Sequence, residues 1–360
     1  MVPEQSSPVR LAFPELGDGE LAAVAEVLAD GQLTMGPRVD EFEALLAQAA
    51  GTTHAVAVSS GTAALHVAVL ALGIGPGDDV LVPAYTFPAT ANVVALAGGR
   101  PVLVDVDPVT MNIDAEDAAR RLTPNTKAIL AVHLFGRPAR LEELPDVPIL
   151  EDAAGALGAS HGGRPCGSLG LLACFSFHPR KIVTTGEGGA VTTDDDLIAE
   201  RVRSLRHHGW SPSDTYVDMP QPAFNYRLSD VLAALGIPQM RRLDELLAQR
   251  ERIAAGYAER LADLDVVLPA ADEGDRHGWQ AYVVQVDRRD EVMAGLRAQG
   301  IQCQIGTYAL HHLGAYRDQG PFPGADAAFE RALALPLHGR LTDADLDRVA
   351  DALDKLVSHH

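Results

Sequence analysis

Three observations predict an α/β fold: a large domain with a mostly parallel mixed sheet flanked by helices, followed by a smaller α+β C-terminal domain. Short apolar runs alternate with helix-length segments through the first half of the chain, which is the pattern of strands joined by crossover helices and covered on both faces. The composition then shifts after Leu268-Pro269. With 360 residues, of which 47% are hydrophobic, the chain can bury a core of that extent.

In order, the periodicity predicts helices over 20–29, stopping at Gly31, and 39–49, stopping before Gly51. Strand 54–58, helix 62–72, strand 79–82, helix 89–96, strand 102–106 and helix 115–122 follow, then strands 128–133 and 147–151. Two further strands, 172–177 and 190–193, bracket a glycine-rich turn. Helical periodicity next runs from Leu197 to about Leu261, with Pro238 placed to bend or interrupt it. The loop 211–222, with three prolines, is read as a mobile segment flanking the functional site. Strand 281–286, helix 291–299, strand 301–304 and helices 325–334 and 343–356 make the smaller unit. The domain boundary falls at the long helix, giving residues 1–245 and 246–360.

An excess of 49 acidic over 29 basic residues sets the net charge at −20, which opposes binding to nucleic acid or anionic membranes. Cys166, Cys174 and Cys303 form no Cys-x-x-Cys pair, so neither a disulfide framework nor a zinc site is indicated, and no metal is expected. The N-terminal residues lack the features of a secretory signal, and no apolar run approaches a membrane span. A reducing cytoplasm is the expected setting.

The chemistry concentrates where Ser176-Phe177-His178-Pro179-Arg180-Lys181 runs into Thr184-Thr185-Gly186-Glu187-Gly188-Gly189. Lys181 there follows a strand and precedes a turn, where α/β sheets bind ligands, and is a candidate Schiff-base nucleophile. Ile149-Leu150-Glu151-Asp152 reads as a buried strand delivering a carboxylate. A lysine paired with a strand-end aspartate points to pyridoxal 5'-phosphate, whose ring nitrogen needs an acid. Asp152 has a second reading as a helix N-cap, because Asp before Ala-Ala-Gly suits that role equally well. Ser60-Gly61-Thr62 follows a strand and opens a helix, so its N–H groups can receive a phosphate, with Ser176 as a further donor. Tyr85 and Phe87 lie just past a strand end, where an aromatic can cover a ring face, although such residues are more often core. His133 and His178 are read as structural.

Taken together, these stretches resemble the DegT-type sugar aminotransferases, of pyridoxal-phosphate fold type I with its aspartate-aminotransferase-like architecture. The resemblance covers nearly the whole chain and includes Gly36-Pro37, Ser60-Gly61-Thr62, Tyr85-Thr86-Phe87-Pro88, His133-Leu134-Phe135-Gly136, Glu151-Asp152-Ala153-Ala154, the lysine motif, Asn225-Tyr226-Arg227 and Leu335-Pro336-Leu337. It implies that Lys181 holds the cofactor, Asp152 pairs with the pyridine nitrogen and Phe87 packs on the ring. It also implies that Gly61, Thr62 and Ser176 hold the phosphate, and that Asn225 reaches the phosphate of a neighbouring subunit in a homodimer with shared sites. Two positions depart from the family pattern. Gly155 stands where a glutamine or histidine near the phenolic oxygen is usual, and Gly306-Thr307-Tyr308-Ala309-Leu310-His311 replaces the commoner Tyr-x-Pro-Leu-His form. The implied activity moves an amino group from an amino acid, L-glutamate or L-glutamine, to a nucleotide-linked 4-keto-6-deoxyhexose. A cyclitol or other secondary-metabolite ketone is the alternative acceptor, and a regulatory protein on the same fold is the non-catalytic alternative.

Overall fold

The computed structural model describes residues 7–211 and 217–358. The chain begins with α1 (Asp18–Asp30), α2 (Pro37–Ala50), β1 (His54–Val58), α3 (Gly61–Ala71), β2 (Asp79–Pro83) and the two-residue β3 (Tyr85–Thr86). It continues through α4 (Ala89–Leu96), β4 (Arg100–Val104), α5 (Ala115–Arg121), β5 (Thr126–Val132), β6 (Ile149–Asp152) and the small pair β7 (Ser160–His161) and β8 (Arg164–Pro165). Next come β9 (Leu172–Ser176), β10 (Gly189–Thr193), α6 (Asp196–Leu205), α7 (Asp230–Arg241) and α8 (Leu243–Leu261). The last part holds β11 (Tyr282–Gln285), α9 (Arg289–Ala298), β12 (Gln304–Ile305), β13 (Tyr308–Ala309), α10 (Pro323–Arg331), β14 (Ala332–Leu335) and α11 (Asp343–Val357).

Seven strands form the large sheet in the order β1-β10-β9-β6-β5-β2-β4. Strands β9, β6, β5, β2 and β4 run parallel, while β10 is antiparallel to both of its neighbours. Every residue of β2 and β10 is buried, as a sheet covered on both faces requires. The parallel strands therefore end together, and the C-terminal ends of β6 and β9 deliver Asp152 and Ser176 to one edge. A three-stranded antiparallel sheet, β11-β14-β12, forms the core of the C-terminal part with α8, α9 and α11. Strand β13 pairs with β3, so the C-terminal part is stitched to the cavity rim at Thr86.

Asp230, the first residue of α7, ties the N-terminal helices to this body. Its Oδ1 accepts the N–H of Gly36 and of Val39, both at 3.1 Å. A Cβ on Gly36 would lie 2.0 Å from Asp230 Oδ2, so the Gly36-Pro37 start of α2 is required by that approach.

Four expectations need correction. Helical periodicity does not persist from 197 to 261: residues 206–211 and 217–229 are irregular, with Tyr226 N–H bonding Arg206 O and Ser59 N–H bonding Tyr226 O. Gly209, at φ 78°, and Pro220 and Pro222 break the helix there. The helix interruption falls at Arg242 rather than at Pro238, which sits inside α7 close to the first turn of α1. The helix expected over 325–334 ends at Arg331, because Ala332–Leu335 fills the central slot between β11 and β12 and tertiary pairing overrides propensity. Strand 301–304 shrinks to Gln304–Ile305, with Ile301 in an isolated bridge to Val9. Of the proline-rich loop 211–222, residues 212–216 lie outside the described residues.

Candidate active site

A cavity of about 450 Å³ opens at the C-terminal edge of the large sheet. It brings together Gly61, Thr62, Phe87, Asp152, Ser176 and Lys181, six of the residues singled out by sequence. Asn225 does not line it: it is exposed on the irregular segment after α6, its Oδ1 accepting the Arg227 N–H at 3.4 Å.

Lys181 is presented by a turn in which its own N–H bonds His178 O at 2.8 Å. Burial pushes its amine down to about 8, against the opposing pull of the Asp152 carboxylate. That leaves about a tenth of the amine neutral, and so nucleophilic, at pH 7. The sequence contains only three lysines, Lys127, Lys181 and Lys355, and of these Lys181 alone faces the cavity. Lys127 is engaged by Asp78 and Gly73 O.

Asp152 is buried at the end of β6 and burial raises its carboxyl, although the Ala154 N–H, at 3.1 Å, and the Thr90 hydroxyl, at 3.0 Å, donate to it. No helix follows it, so the N-cap reading fails; its backbone contact merely closes a turn at Ala154. Neighbouring Glu151 points the other way. Its carboxylate accepts the N–H groups of Gly167, Leu169 and Gly170, and pairs with His133 Nε2 at 2.7 Å. Those bonds hold it below the usual carboxylate range and make Glu151 and His133 a structural pair, since the successive strand residues Glu151 and Asp152 face opposite sides.

The N-terminus of α3 forms a third side. Ser60 caps it by accepting the Ala63 N–H at 3.0 Å, which leaves the N–H groups of Gly61 and Thr62 without intrahelical partners. A Cβ on Gly61 would lie 2.7 Å from Ser176 Cβ, so helix and strand end meet too closely for any other residue. Such a cradle accepts an anion. A buried carboxylate in need of a cation, a depressed lysine and an anion cradle around one cavity are the donor set that pyridoxal phosphate requires, and the residues fit it.

Phe87 is 59% exposed at the rim, edge-on to Tyr308 with ring centroids 6.2 Å apart. Of the opposite wall, sequence reasoning singled out only the 306–311 segment. Gln280, Gln304 and Thr307, which line the cavity, come from the C-terminal part, and Arg180 donates to Gln304 Oε1 at 2.6 Å. Thr90 was missed too: as the second residue of α4 it gave no signal beyond an ordinary helix residue. Away from the cavity, His311 and His312 each place Nε2 2.8 Å from Asp326 Oδ1, pinning α10. Among the described residues, no helix is long and apolar enough to cross a membrane.

Known proteins resemble this chain over nearly its whole length. The model of the DegT/DnrJ/EryC1/StrS aminotransferase family matches residues 14–354. The chain is 40% identical to GDP-perosamine synthase of Caulobacter vibrioides over 365 residues, covering 97% of this chain and 98% of that protein. It superposes on the aminotransferase TlmJ of Streptoalloteichus hindustanus with a TM-score of 0.93 at 36% identity, covering 97% of this chain and 99% of that one. A sugar-aminotransferase-like structure from Streptococcus pneumoniae, described in its PLP form, gives a TM-score of 0.93 at 28% identity, covering 98% of this chain and 99% of that one.

Proposed function

Because the chain belongs to the DegT/DnrJ/EryC1/StrS aminotransferase family, whose cofactor is pyridoxal 5'-phosphate on the type I fold, we propose that it transfers an amino group to a nucleotide-linked 4-keto-6-deoxyhexose. The observation that carries this reading is the placing of Lys181 and Asp152 on one cavity with the α3 N-terminus. The GDP-sugar enzyme at 40% identity makes a guanosine diphosphate sugar the first acceptor to try.

Lys181 would hold the cofactor through Nζ, and the same nitrogen would take the α-proton of the amino-acid donor and return it. Asp152 would keep a positive charge on the ring nitrogen; two opposite unit charges in contact at an effective dielectric near 20 attract by about 4 kcal/mol. The cofactor supplies the electron sink that makes the α-proton removable. Gly61, Thr62 and Ser176 bind the phosphate, and Phe87 covers one ring face. The donor is L-glutamate or L-glutamine, whose α-amino group would stay behind for the acceptor as the keto acid departs.

The protein acts as a homodimer with shared sites in the cytoplasm. Asn225 supports the first point, being exposed and apart from its own cavity, where it is free to reach a partner's phosphate. Three unpaired cysteines, Cys166, Cys174 and Cys303, support the second. The division into residues 1–245 and 246–360 follows the start of α8 at Leu243, after which the chain packs on the small sheet.

The test is product analysis with L-glutamate and GDP-4-keto-6-deoxymannose. The reading expects an amino sugar and 2-oxoglutarate in equal amounts, both absent with Lys181→Ala; activity retained by that variant refutes it.

A further inference from the structure

Gln280 is the one cavity-lining amide for which the described structure provides no hydrogen-bond partner at its side chain, whereas Gln304 accepts from Arg180. Its backbone, by contrast, is held from two sides. The Gln280 N–H bonds Phe135 O at 3.1 Å, and Arg250 donates to Trp279 O at 2.9 Å and to Gln280 O at 3.2 Å. One residue earlier, the Trp279 N–H bonds His277 Nδ1 at 2.9 Å and the Gly278 N–H bonds Gly136 O at 2.8 Å.

These contacts hold costly backbone. Trp279 has φ 45° and Phe135 φ 57°, both in the left-handed region that side chains disfavour. Gly136, at φ 99°, admits the crossing because a Cβ there would lie 2.9 Å from Trp279 N and 3.0 Å from Gly155 O. Strain concentrated beside a cavity and stabilised by surrounding bonds marks a segment whose position matters.

The strained segment sets the Gln280 side chain over Gly155. A Cβ built on Gly155 would sit 3.4 Å from both Cγ and Oε1 of Gln280, so the volume above this glycine is where the amide lies. Gly155 follows Asp152 by three residues, and the same small recess is lined by Lys181.

Resting on the cofactor reading above, we propose that Gln280 is a cofactor-positioning residue whose amide hydrogen-bonds the phenolic oxygen of pyridoxal phosphate, in space that Gly155 leaves open. Three polar features of the cofactor already have partners: the ring nitrogen at Asp152, the aldehyde carbon at Lys181 and the phosphate at Gly61, Thr62 and Ser176. The phenolic oxygen is the remaining one, adjacent to the lysine-bearing carbon, and an amide offers it two N–H donors. A donor there draws electron density from the oxygen and loosens its hold on the neighbouring proton. The C-terminal part of the chain thus reaches the cofactor through Gln280.

The test is a pH titration of the visible absorbance band of the resting holoenzyme, with the cofactor dissociation constant measured by dialysis. Gln280→Met is expected to move the titration midpoint up by about one pH unit and weaken cofactor binding about tenfold, the size of one hydrogen bond. Gly155→Gln combined with Gln280→Ala, which moves the amide across to the strand side, is expected to return the midpoint toward wild type. A wild-type midpoint and affinity in Gln280→Met overturn the proposal, as does a shift that the double variant fails to reverse, which would trace it to a disturbed loop. A visible band absent from the wild type, or persisting in Lys181→Ala, overturns the cofactor reading itself and the proposal with it.

Discussion

The two walls of the cavity are built differently. On one, Asp152, Ser176, Lys181 and the Gly61 turn come from strand ends and a helix start of the large sheet, between residues 60 and 181. On the other, Gln280, Gln304 and Thr307 come from the C-terminal part, carried on short strands and strained turns. On the proposed function, the first wall supplies the lysine, the acid and the phosphate cradle for the cofactor, and the second supplies the side chains that face the acceptor. The difference teaches that the first set is fixed by parallel-sheet topology, whereas the second depends on how the C-terminal part is pinned to it.

The comparison is broken most severely by Lys181→Ala, which is expected to lower transamination by about 10⁴-fold or more, measured as 2-oxoglutarate release. Asp152→Asn comes next, at about 10³-fold, from the loss of an ion pair worth about 4 kcal/mol. The sign for stability is opposite. Burial raises the Asp152 carboxyl, so ionising it in the folded state destabilises the cofactor-free protein above its ordinary titration range. The cofactor-free Asp152→Asn protein is therefore expected to melt at a higher temperature than wild type while losing activity.

Gly61→Ala forces a Cβ to within 2.7 Å of Ser176 Cβ and is expected to cost about 1–3 kcal/mol of stability, with weaker cofactor binding seen by dialysis. On the second wall, Arg250→Met frees the carbonyls of Trp279 and Gln280. The expected loss is about 1–3 kcal/mol by denaturant titration, with KM for the sugar rising more than kcat falls. The smallest effect sharpens the first wall alone. Capture of pyridoxal phosphate by the cofactor-free protein is expected to accelerate as pH rises through about 8, because the Lys181 amine loses its proton there. A rate flat from pH 6 to 10 would contradict that assignment.

Legibility in the sequence followed the same division. Lys181, Asp152 and the Ser60-Gly61-Thr62 start were readable because strand ends, glycine turns and helix caps are local signals, and β1 and α4 were placed to the residue. Gln280 was not readable, because its role depends on a positive φ at Trp279 and a crossing at Gly136 that no local pattern announces. The strand Ala332–Leu335 was hidden for a related reason: Ala-Leu-Ala-Leu favours helix in isolation and becomes a strand only between two partners. Asp152 kept two readings on spacing alone, and the fold removes the N-cap one by placing no helix after it.

The central claim is that Lys181 is the amine that binds the cofactor, and the chain's scarcity of lysines makes it directly testable. Borohydride reduction of the holoenzyme followed by peptide mass mapping should place a single pyridoxyl group on the peptide containing Lys181, with Lys127 and Lys355 unmodified. A pyridoxyl group on Lys127 or Lys355, or none after reduction, would contradict the account.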